Sequence, residues 1–185
     1  MSAADEQQLI LQAREGSHEA YRVLVARHMK DAYNVAFGFV NDHDMAEDIA
    51  QEAFVRAYMS LKSFRGDARF GTWLYRIITN LSLNRLKQEN MRAQREVSVH
   101  APAVHTAGCV QEDAPIHDLG IHIERALHEL PTLQRAVVIL RHLEGLSTKQ
   151  VSEILRCSEG TVKTHLFRAM EKLRKKLDHL REDVA

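Results

Sequence analysis

A stripe of side chains suited to contacting unpaired nucleic acid runs through the middle of the chain. Trp73, Arg76, Asn80, Asn84 and Lys87 recur at helical spacing and fall within a narrow angular sector. An indole can stack on an unpaired base, which is worth ~1–3 kcal/mol, and amides can read base edges. A lone tryptophan on a helix is also a common core residue. The pattern therefore leaves two interpretations of Trp73 open, a base-stacking ring and a core ring.

The loop just before this stripe also combines aromatic and basic side chains. Around Gly66 it carries two aromatic rings, two arginines and one carboxylate, namely Phe64, Arg65, Asp67, Arg69 and Phe70. Such a loop can hold a flipped base between its rings. The alternative, that both rings belong to the core, stays open from the sequence.

The C-terminal part has the layout of a helix-turn-helix. A short helix ending at Leu155 is followed by a tight connection, Arg156 to Gly160, and by a longer helix from about Thr161. The longer helix has an apolar face comprising Val162, Leu166, Ala169, Leu173 and Leu177. The residues predicted to contact duplex DNA are Ser158, Thr161, Lys163, Thr164, His165, Arg168 and Lys172. An ordinary amphipathic helical hairpin with a solvated face is the alternative.

Helices must position all of these residues, and the sequence predicts an all-α fold. Leu, Ala, Glu, Arg, Lys and Gln dominate, and alternating strand patterns are nearly absent. Ser17 is predicted to cap the second helix, and Asp44 with Glu47, and Ser147 with Gln150, to form capping boxes at two later ones. The predicted helices run from near Asp5, from Ser17, from Asp44 to about Lys62, over about 72–89, 118–129 and 132–143, from Ser147 to Leu155, and over about 161–180.

The same pattern divides the chain into two helical domains and a linker. Residues 1–91 and 118–185 have helical periodicity, whereas residues 92–117 contain two prolines and little apolar periodicity and are predicted to be a flexible linker. His100, His105, Cys109 and His117 fall in that linker. Their spacing matches no compact zinc motif, so scattered surface residues are favoured over a metal site.

Charge and hydropathy exclude several classes of protein. The net charge of zero conceals blocks of −5 (residues 1–60), +6 (61–95), −5 (96–130) and +4 (131–185). Two basic blocks indicate two nucleic-acid contacts, and the acidic ones indicate a protein partner. Neither a signal peptide nor a membrane span is expected, and two cysteines cannot form a disulfide framework. A soluble, cytoplasmic protein follows. No phosphate loop or nucleophile motif appears, so an enzyme and a small-molecule substrate are not expected.

Three long motifs resemble the extracytoplasmic-function (ECF) sigma factors of the sigma-70 family. They are Asp48-Ile-Ala-Gln51-Glu52-Ala-Phe54-Val-Arg-Ala57, the stretch from Phe64 to Arg76 that includes Trp73, and Leu130-Pro131 through Gly145-Leu-Ser147 followed by the helix-turn-helix. The resemblance covers about residues 6–90 and 118–178, and thus nearly everything except the linker. It implies a region 2 domain at 1–91 and a region 4 domain at 118–185.

The resemblance also implies partners and the residues that meet them. Core RNA polymerase would be bound at its clamp coiled coil by Asp48, Gln51 and Glu52, supported by Phe54 and Ala57. The polymerase flap is implied as a further contact. The loop at residues 64–70 and the helix that carries Arg76, Asn80 and Asn84 would read and melt the minus-ten element. The helix from Thr161 would read the minus-thirty-five element. An anti-sigma factor is implied as a regulator, and no cofactor is expected.

One departure from the family and one rival interpretation follow from the C-terminal helix. Family members often carry arginines where this chain has Lys163, Thr164 and His165. Lysine does not make the bidentate contact of arginine to guanine, so the minus-thirty-five sequence is left open. The rival is a stand-alone regulator that binds duplex DNA as a dimer through residues 118–178. It explains the helix-turn-helix but not the Trp73 stripe or the motif that begins at Asp48.

Overall fold

The computed structural model describes residues 3–66, 68–97 and 115–178, and within these ranges every regular element is a helix. The all-α prediction is confirmed. None of the described helices is both long and apolar enough to cross a membrane. The α-helices are α1 (Ala3–Arg14), α2 (His18–Val40), α3 (His43–Ser60), α4 (Phe70–Val97), α5 (Pro115–His128), α6 (Thr132–Val138), α7 (Thr148–Leu155) and α8 (Glu159–Leu177).

Helices α1 to α4 form a bundle around an apolar core. Its centre contains fully buried side chains of α2, α3 and α4, among them Leu24, Phe39, Ile49, Leu74 and Ile78. Their spacing puts each on the inward face of its helix, and this fixes which residues of α3 and α4 face outward. The outward faces carry the candidate functional side chains.

The predicted caps of α2 and α3 had different outcomes. Ser17 caps α2 as predicted, because its hydroxyl accepts a hydrogen bond from the Ala20 backbone N–H at 3.2 Å. The predicted cap of α3 at Asp44 is wrong. Asp42 takes that position, and its carboxylate accepts from the Met45 N–H at 2.8 Å. Both residues are good caps by type, and only the backbone conformation at Asp42 distinguishes them.

Helix α4 continues beyond the predicted start of the linker. Residues 92–97 belong to α4 and residues 115–117 belong to α5. The side chains from Met91 to Arg95 are exposed, and good helix formers extend a helix without adding an apolar face. The absence of apolar periodicity in residues 92–97 therefore did not indicate a coil. The rest of the predicted linker, residues 98–114, lies outside the described residues, as do His100, His105 and Cys109 and the side chain of His117.

The C-terminal half contains the predicted helix-turn-helix with a different turn. The capping box of Ser147 and Gln150 at the start of α7 is confirmed. Arg156, at φ 52°, supplies the left-handed residue of the turn, and Gly160 lies inside the first turn of α8. Placing Gly160 in the turn was therefore wrong, since the α8 cap is Ser158. Before α7, helix α6 passes into a π-helical turn, Ile139–Leu143.

The two halves pack against each other, which the sequence did not predict. Ile139, Leu140 and Val151 from the C-terminal half are buried in the same core as the bundle. A Cβ on Gly38 of α2 would come within 3.1 Å of the Ile139 side chain, so the α2 backbone lies directly against that residue. The absence of a side chain at residue 38 permits this close approach.

Polar contacts reinforce this packing between the halves. The buried guanidinium of Arg135 donates to the Phe39 carbonyl at the end of α2, with an N···O distance of 2.9 Å. A cation at a helix C-terminus interacts favourably with the carbonyl groups left unpaired there. Gln150 at the start of α7 also lies 3.3 Å (Nε2 to Oγ1) from Thr72 in the first turn of α4. The helix-turn-helix thus rests on the start of α4.

Candidate functional site

The polar stripe of α4 is exposed, as its spacing predicted. Arg76, Asn80, Asn84 and Lys87 are all exposed, whereas Trp73 at the head of the stripe is half-buried. The opposite face of α4 holds the stripe in place, since Leu74 and Ile78 are completely buried in the bundle. The stripe is therefore a fixed polar surface along one side of a long helix.

The two loop phenylalanines are core residues, and their prediction as rings that hold a base needs correction. Phe64 is 6% exposed and Phe70 1% exposed. Their rings pack edge to face at a centroid distance of 6.1 Å, and Trp73 lies 5.0 Å from Phe64 and 5.7 Å from Phe70. The three rings form one packed cluster, and an aromatic in such a cluster contributes mainly to stability. They position the loop.

The polar residues of the same loop face outward. Arg65 and Arg69 are exposed on either side of the loop, and Gly66 between them adopts φ +81°, a conformation that favours glycine. Asp67 lies outside the described residues. In this loop the arginines, not the rings, are available to a ligand.

The predicted polymerase-docking residues of α3 divide into exposed and buried groups. Asp48 and Gln51 are exposed, and Glu52 is half-buried and paired with Arg56 at 2.6 Å. Phe54 and Ala57 are buried, in keeping with their predicted supporting role. One helical face thus presents carboxylate and amide groups above an apolar base.

The same face of α3 carries apolar residues that the sequence reasoning missed. Val55 is 59% exposed and Met59 is 79% exposed, and both fall on the helical face of Asp48 and Glu52. Exposed apolar groups beside polar ones are typical of protein-binding surfaces. The signal was present in the spacing, since residues 48, 52, 55 and 59 follow the helical repeat.

The α3 face and the α4 stripe meet at a small polar cleft. Glu52 and Arg56 of α3 line it together with Asn84 and Arg85 of α4, and its volume is about 230 Å³. A residue of the predicted docking face and a residue of the predicted DNA stripe therefore share one cleft. The sequence alone did not bring them together.

Helix α8 presents the predicted cationic residues to the outside. Lys163, Arg168 and Lys172 are exposed, whereas Val162, Ala169 and Leu173 are buried on the opposite face. The two faces agree with the helical wheel predicted from the sequence. Arg168 and Lys172, four residues apart, lie on one side of the helix and suit a phosphate backbone, whereas Lys163 lies on a different side.

The small polar residues of α8 have structural partners. Ser158 caps the helix by accepting from the Thr161 N–H at 3.0 Å, and its hydroxyl lies 2.8 Å from that of Thr161. The Thr164 hydroxyl donates to the Gly160 carbonyl at 2.9 Å. His165 is half-buried, and its Nδ1 atom is buried without a hydrogen-bond partner. These four residues retain fewer free donors than the sequence reasoning assumed.

Half-buried ionisable groups lie near the contact between the halves. Burial, and secondarily the nearby Arg135 charge, lowers the pKa of His128 to about 4. Burial also raises the pKa of Glu144, although a hydrogen bond from Tyr75 opposes that shift. Neutral imidazole is therefore the stable form of His128 at neutral pH. Among the described residues no cluster of potential metal ligands occurs.

Comparison with known proteins identifies both halves. The sigma-70 region 2 family model matches residues 24–92, and the sigma-70 region 4 model matches residues 122–173. The first match contains α3 and most of α4, including the stripe that a stand-alone regulator would leave unexplained. The second contains the helix-turn-helix.

One sequence relative and two solved structures extend these matches to nearly the whole chain. The chain is 34% identical to the ECF RNA polymerase sigma factor SigW of Bacillus subtilis, over 92% of this chain and 96% of SigW. The structure of CnrH in complex with the cytosolic domain of CnrY has a TM-score of 0.69 at 25% identity, covering 95% of this chain and 98% of CnrH. The sigma factor RpoE of Bartonella quintana, in complex with the anti-sigma factor NepR, shares the fold at a TM-score of 0.69 and 23% identity, covering 85% and 96% of the two chains. With both halves matched in this order and the full-length relative above 30% identity, the chain belongs to the ECF RNA polymerase sigma factors of the sigma-70 family.

Proposed function

We propose that this sigma factor reads the minus-ten element with the α4 stripe and the minus-thirty-five element with α8. The observation that carries the proposal is the exposed row of Arg76, Asn80, Asn84 and Lys87, fixed by the buried opposite face of α4. Amides can read base edges and cations can hold phosphates, so this row suits a separated strand. The cations of α8 serve the duplex upstream, as in other helix-turn-helix proteins.

The outward face of α3 is the proposed dock for core polymerase. Asp48, Gln51 and Glu52 supply the polar contacts, and Val55 and Met59 supply apolar contact area. An interface that combines apolar anchors with a polar rim gains both affinity and specificity. The acidic balance of residues 1–60, net −5, also suits a protein partner better than DNA.

The two halves must separate when both promoter elements are bound. Elements centred near minus ten and minus thirty-five lie about 25 base pairs apart, or about 85 Å along a duplex at ~3.4 Å per base pair. The contact between Thr72 and Gln150 holds the start of α4 against the helix-turn-helix. Because Asn80 lies only ~12 Å further along α4, at ~1.5 Å per residue, the packed arrangement is too short to span both elements.

The packed form is the state that an anti-sigma factor would hold. Such a partner binds the docking face of α3 or stabilises the contact between the halves, and either action withholds the chain from polymerase. CnrH and RpoE were each solved with a protein partner, which agrees with regulation of this kind. The protein acts in the cytoplasm, where bacterial polymerase works, and it has no catalytic role of its own.

Two substitutions test the division of labour between α3 and α4. Asn80→Ala should weaken minus-ten recognition and leave the affinity for core polymerase unchanged, whereas Gln51→Ala should do the reverse. Both side chains are exposed, so neither change should disturb folding. Polymerase affinity is measured by fluorescence anisotropy of the labelled protein, and strand opening by permanganate footprinting. An equal loss of polymerase affinity in both variants would refute the assignment.

A further inference from the structure

The cleft between α3 and α4 joins the two surfaces that carry the proposed function. It is lined by Glu52 and Arg56 of α3 and by Asn84 and Arg85 of α4. Its volume of about 230 Å³ is below the roughly 300–1,000 Å³ of most small-molecule sites, so it suits a single polar group. Because Glu52 belongs to the proposed polymerase dock and Asn84 to the α4 stripe, one surface can influence the other here.

The charge of this cleft depends on one ion pair. Among the described residues that line it, Glu52 supplies the one carboxylate, against the guanidinium groups of Arg56 and Arg85. Asp48 and Glu89, each one helical turn from a lining residue, do not line it. Glu52 Oε1 lies 2.6 Å from Arg56 Nη2. While this pair holds, the Arg56 charge is neutralised, and when the pair opens the cleft becomes positive.

The pair of Glu52 and Arg56 is easily exchanged for other partners. The side chains are 41% and 54% exposed, respectively. A solvent-exposed ion pair four residues apart on a helix is screened by water and contributes little to stability. A guanidinium binds a phosphate through the same paired, charge-assisted hydrogen bonds that it forms with a carboxylate. Arg56 therefore becomes available to a phosphate as soon as another cation engages Glu52.

The position of the cleft favours the DNA backbone as the source of that anion. Asn84 is exposed one helical turn beyond Asn80, so a strand that follows the α4 stripe passes the mouth of the cleft. An acidic side chain of the polymerase is the other anion to consider. The dock on α3 is itself acidic, through Asp48 and Glu52, and its partner surface must therefore be cationic. A phosphate is the better match for Arg56.

We propose that Arg56 is a further contact for the backbone of the promoter strand, and that Glu52 restrains it until polymerase engages the Glu52 carboxylate. The proposal rests on the proposed roles of α3 and α4 and adds a residue that belongs to neither surface. In the free protein Glu52 holds Arg56. In the complex a cation of the polymerase takes the carboxylate, and Arg56 holds a phosphate beside Asn84.

The test measures binding of single-stranded DNA by the full-length protein. The probe is a fluorescein-labelled random-sequence strand of about 12 nucleotides, titrated by anisotropy at several KCl concentrations from about 50 to 200 mM. Glu52→Gln, Arg56→Gln and the double variant are compared. The matched control is the ion pair of Glu19 and Arg22 on α2, which is also exposed, at 2.8 Å, and lies outside the cleft lining. Thermal unfolding of each variant checks that it folds.

The expected results are not additive, because one residue acts through the other. Glu52→Gln should strengthen strand binding about fivefold at 0.1 M KCl and steepen the slope of log K against log[KCl] by about 0.7, since one phosphate contact is gained. Arg56→Gln alone should match the wild type, and the double variant should bind like Arg56→Gln. Glu19→Gln, alone or with Arg22→Gln, should match the wild type.

The same substitution has a different expected effect once polymerase is bound. In the holoenzyme, Arg56→Gln should reduce the magnitude of the salt slope of promoter binding by about 0.7 to 0.9, since the released guanidinium then contacts a phosphate. Arg22→Gln in the holoenzyme should leave the slope unchanged.

Three results would overturn the proposal. The first is wild-type strand affinity and slope for Glu52→Gln. The second is a gain that persists in the double variant, and the third is an equal gain in Glu19→Gln. Either of these last two would assign the gain to the loss of a negative charge and not to the release of Arg56. Unchanged affinity of Glu52→Gln for core polymerase, measured separately, would instead refute the docking role of Glu52, so the two failures are distinguishable.

Discussion

Replacing Phe70 by alanine distinguishes a core ring from a DNA-binding ring. Phe70 is 1% exposed and packs against Phe64, Trp73 and the imidazole of His28, with centroid distances of 5.2 to 6.1 Å. Removal of a fully buried phenylalanine ring costs ~3–5 kcal/mol of unfolding free energy. The favourable transfer of the ring out of water is lost, and its removal leaves a cavity in the core. For a domain with a total stability of about 5–15 kcal/mol, that is a large fraction.

The assay is urea unfolding followed by far-ultraviolet circular dichroism. With a slope of ~3 kcal/mol per molar urea, a loss of ~4 kcal/mol lowers the unfolding midpoint by about 1.3 M. Phe167→Ala is the matched control, since the same substitution removes a ring that is 71% exposed. That variant should stay within about 0.5 kcal/mol of the wild type.

The two variants together decide the role of the loop rings. If Phe70→Ala unfolds at the same urea concentration as Phe167→Ala and loses only DNA binding, the ring is free to stack on a base and the core assignment is wrong. If the midpoint falls as calculated, the effect of this ring on transcription acts through loop position.

Two further predictions concern local stability and pH. Ser158→Ala should destabilise the protein by ~1 kcal/mol and weaken duplex binding by α8, because the Thr161 N–H loses its cap. Urea unfolding measures the first effect and fluorescence anisotropy of a labelled duplex the second. A variant as stable as the wild type would contradict the assignment of Ser158 as the cap. Stability should fall as the pH drops from about 6.5 towards 4, because the unfolded chain protonates His128 while burial and Arg135 keep it neutral in the folded state. His128→Gln should reduce that dependence, measured as the urea midpoint across this window, and exposed His142→Gln should not.

The sequence predicted the helices, and which face of α4 and of α8 points outward, because both depend on local periodicity. The outward stripe of α4 and the two faces of α8 follow from a repeat of about 3.6 residues, and the structure places Asn80 and Arg168 on exposed faces accordingly. Helix caps were predicted correctly where only one nearby side chain is a good cap, as at Ser147. They were missed where two good caps compete, as at Asp42 and Asp44.

Features that depend on distant residues could not be predicted. The burial of Phe64 and Phe70 is set by contacts with α2 and with each other, and the composition of the loop is equally compatible with exposure. The packing of Ile139 against Gly38, and of Arg135 on the end of α2, joins residues about a hundred positions apart. No periodic pattern within one helix specifies such a pairing.

Promoter-specific initiation by purified core RNA polymerase is the most direct test of the central claim. The protein is added to core polymerase that lacks any other sigma factor, with a library of upstream DNA fragments from the source genome as template. Defined transcripts should start downstream of a shared pair of sequence elements, and Asn80→Ala should reduce them. If no specific transcript forms, or if transcripts form only when another sigma factor is present, the account of this chain as a functional sigma factor is contradicted.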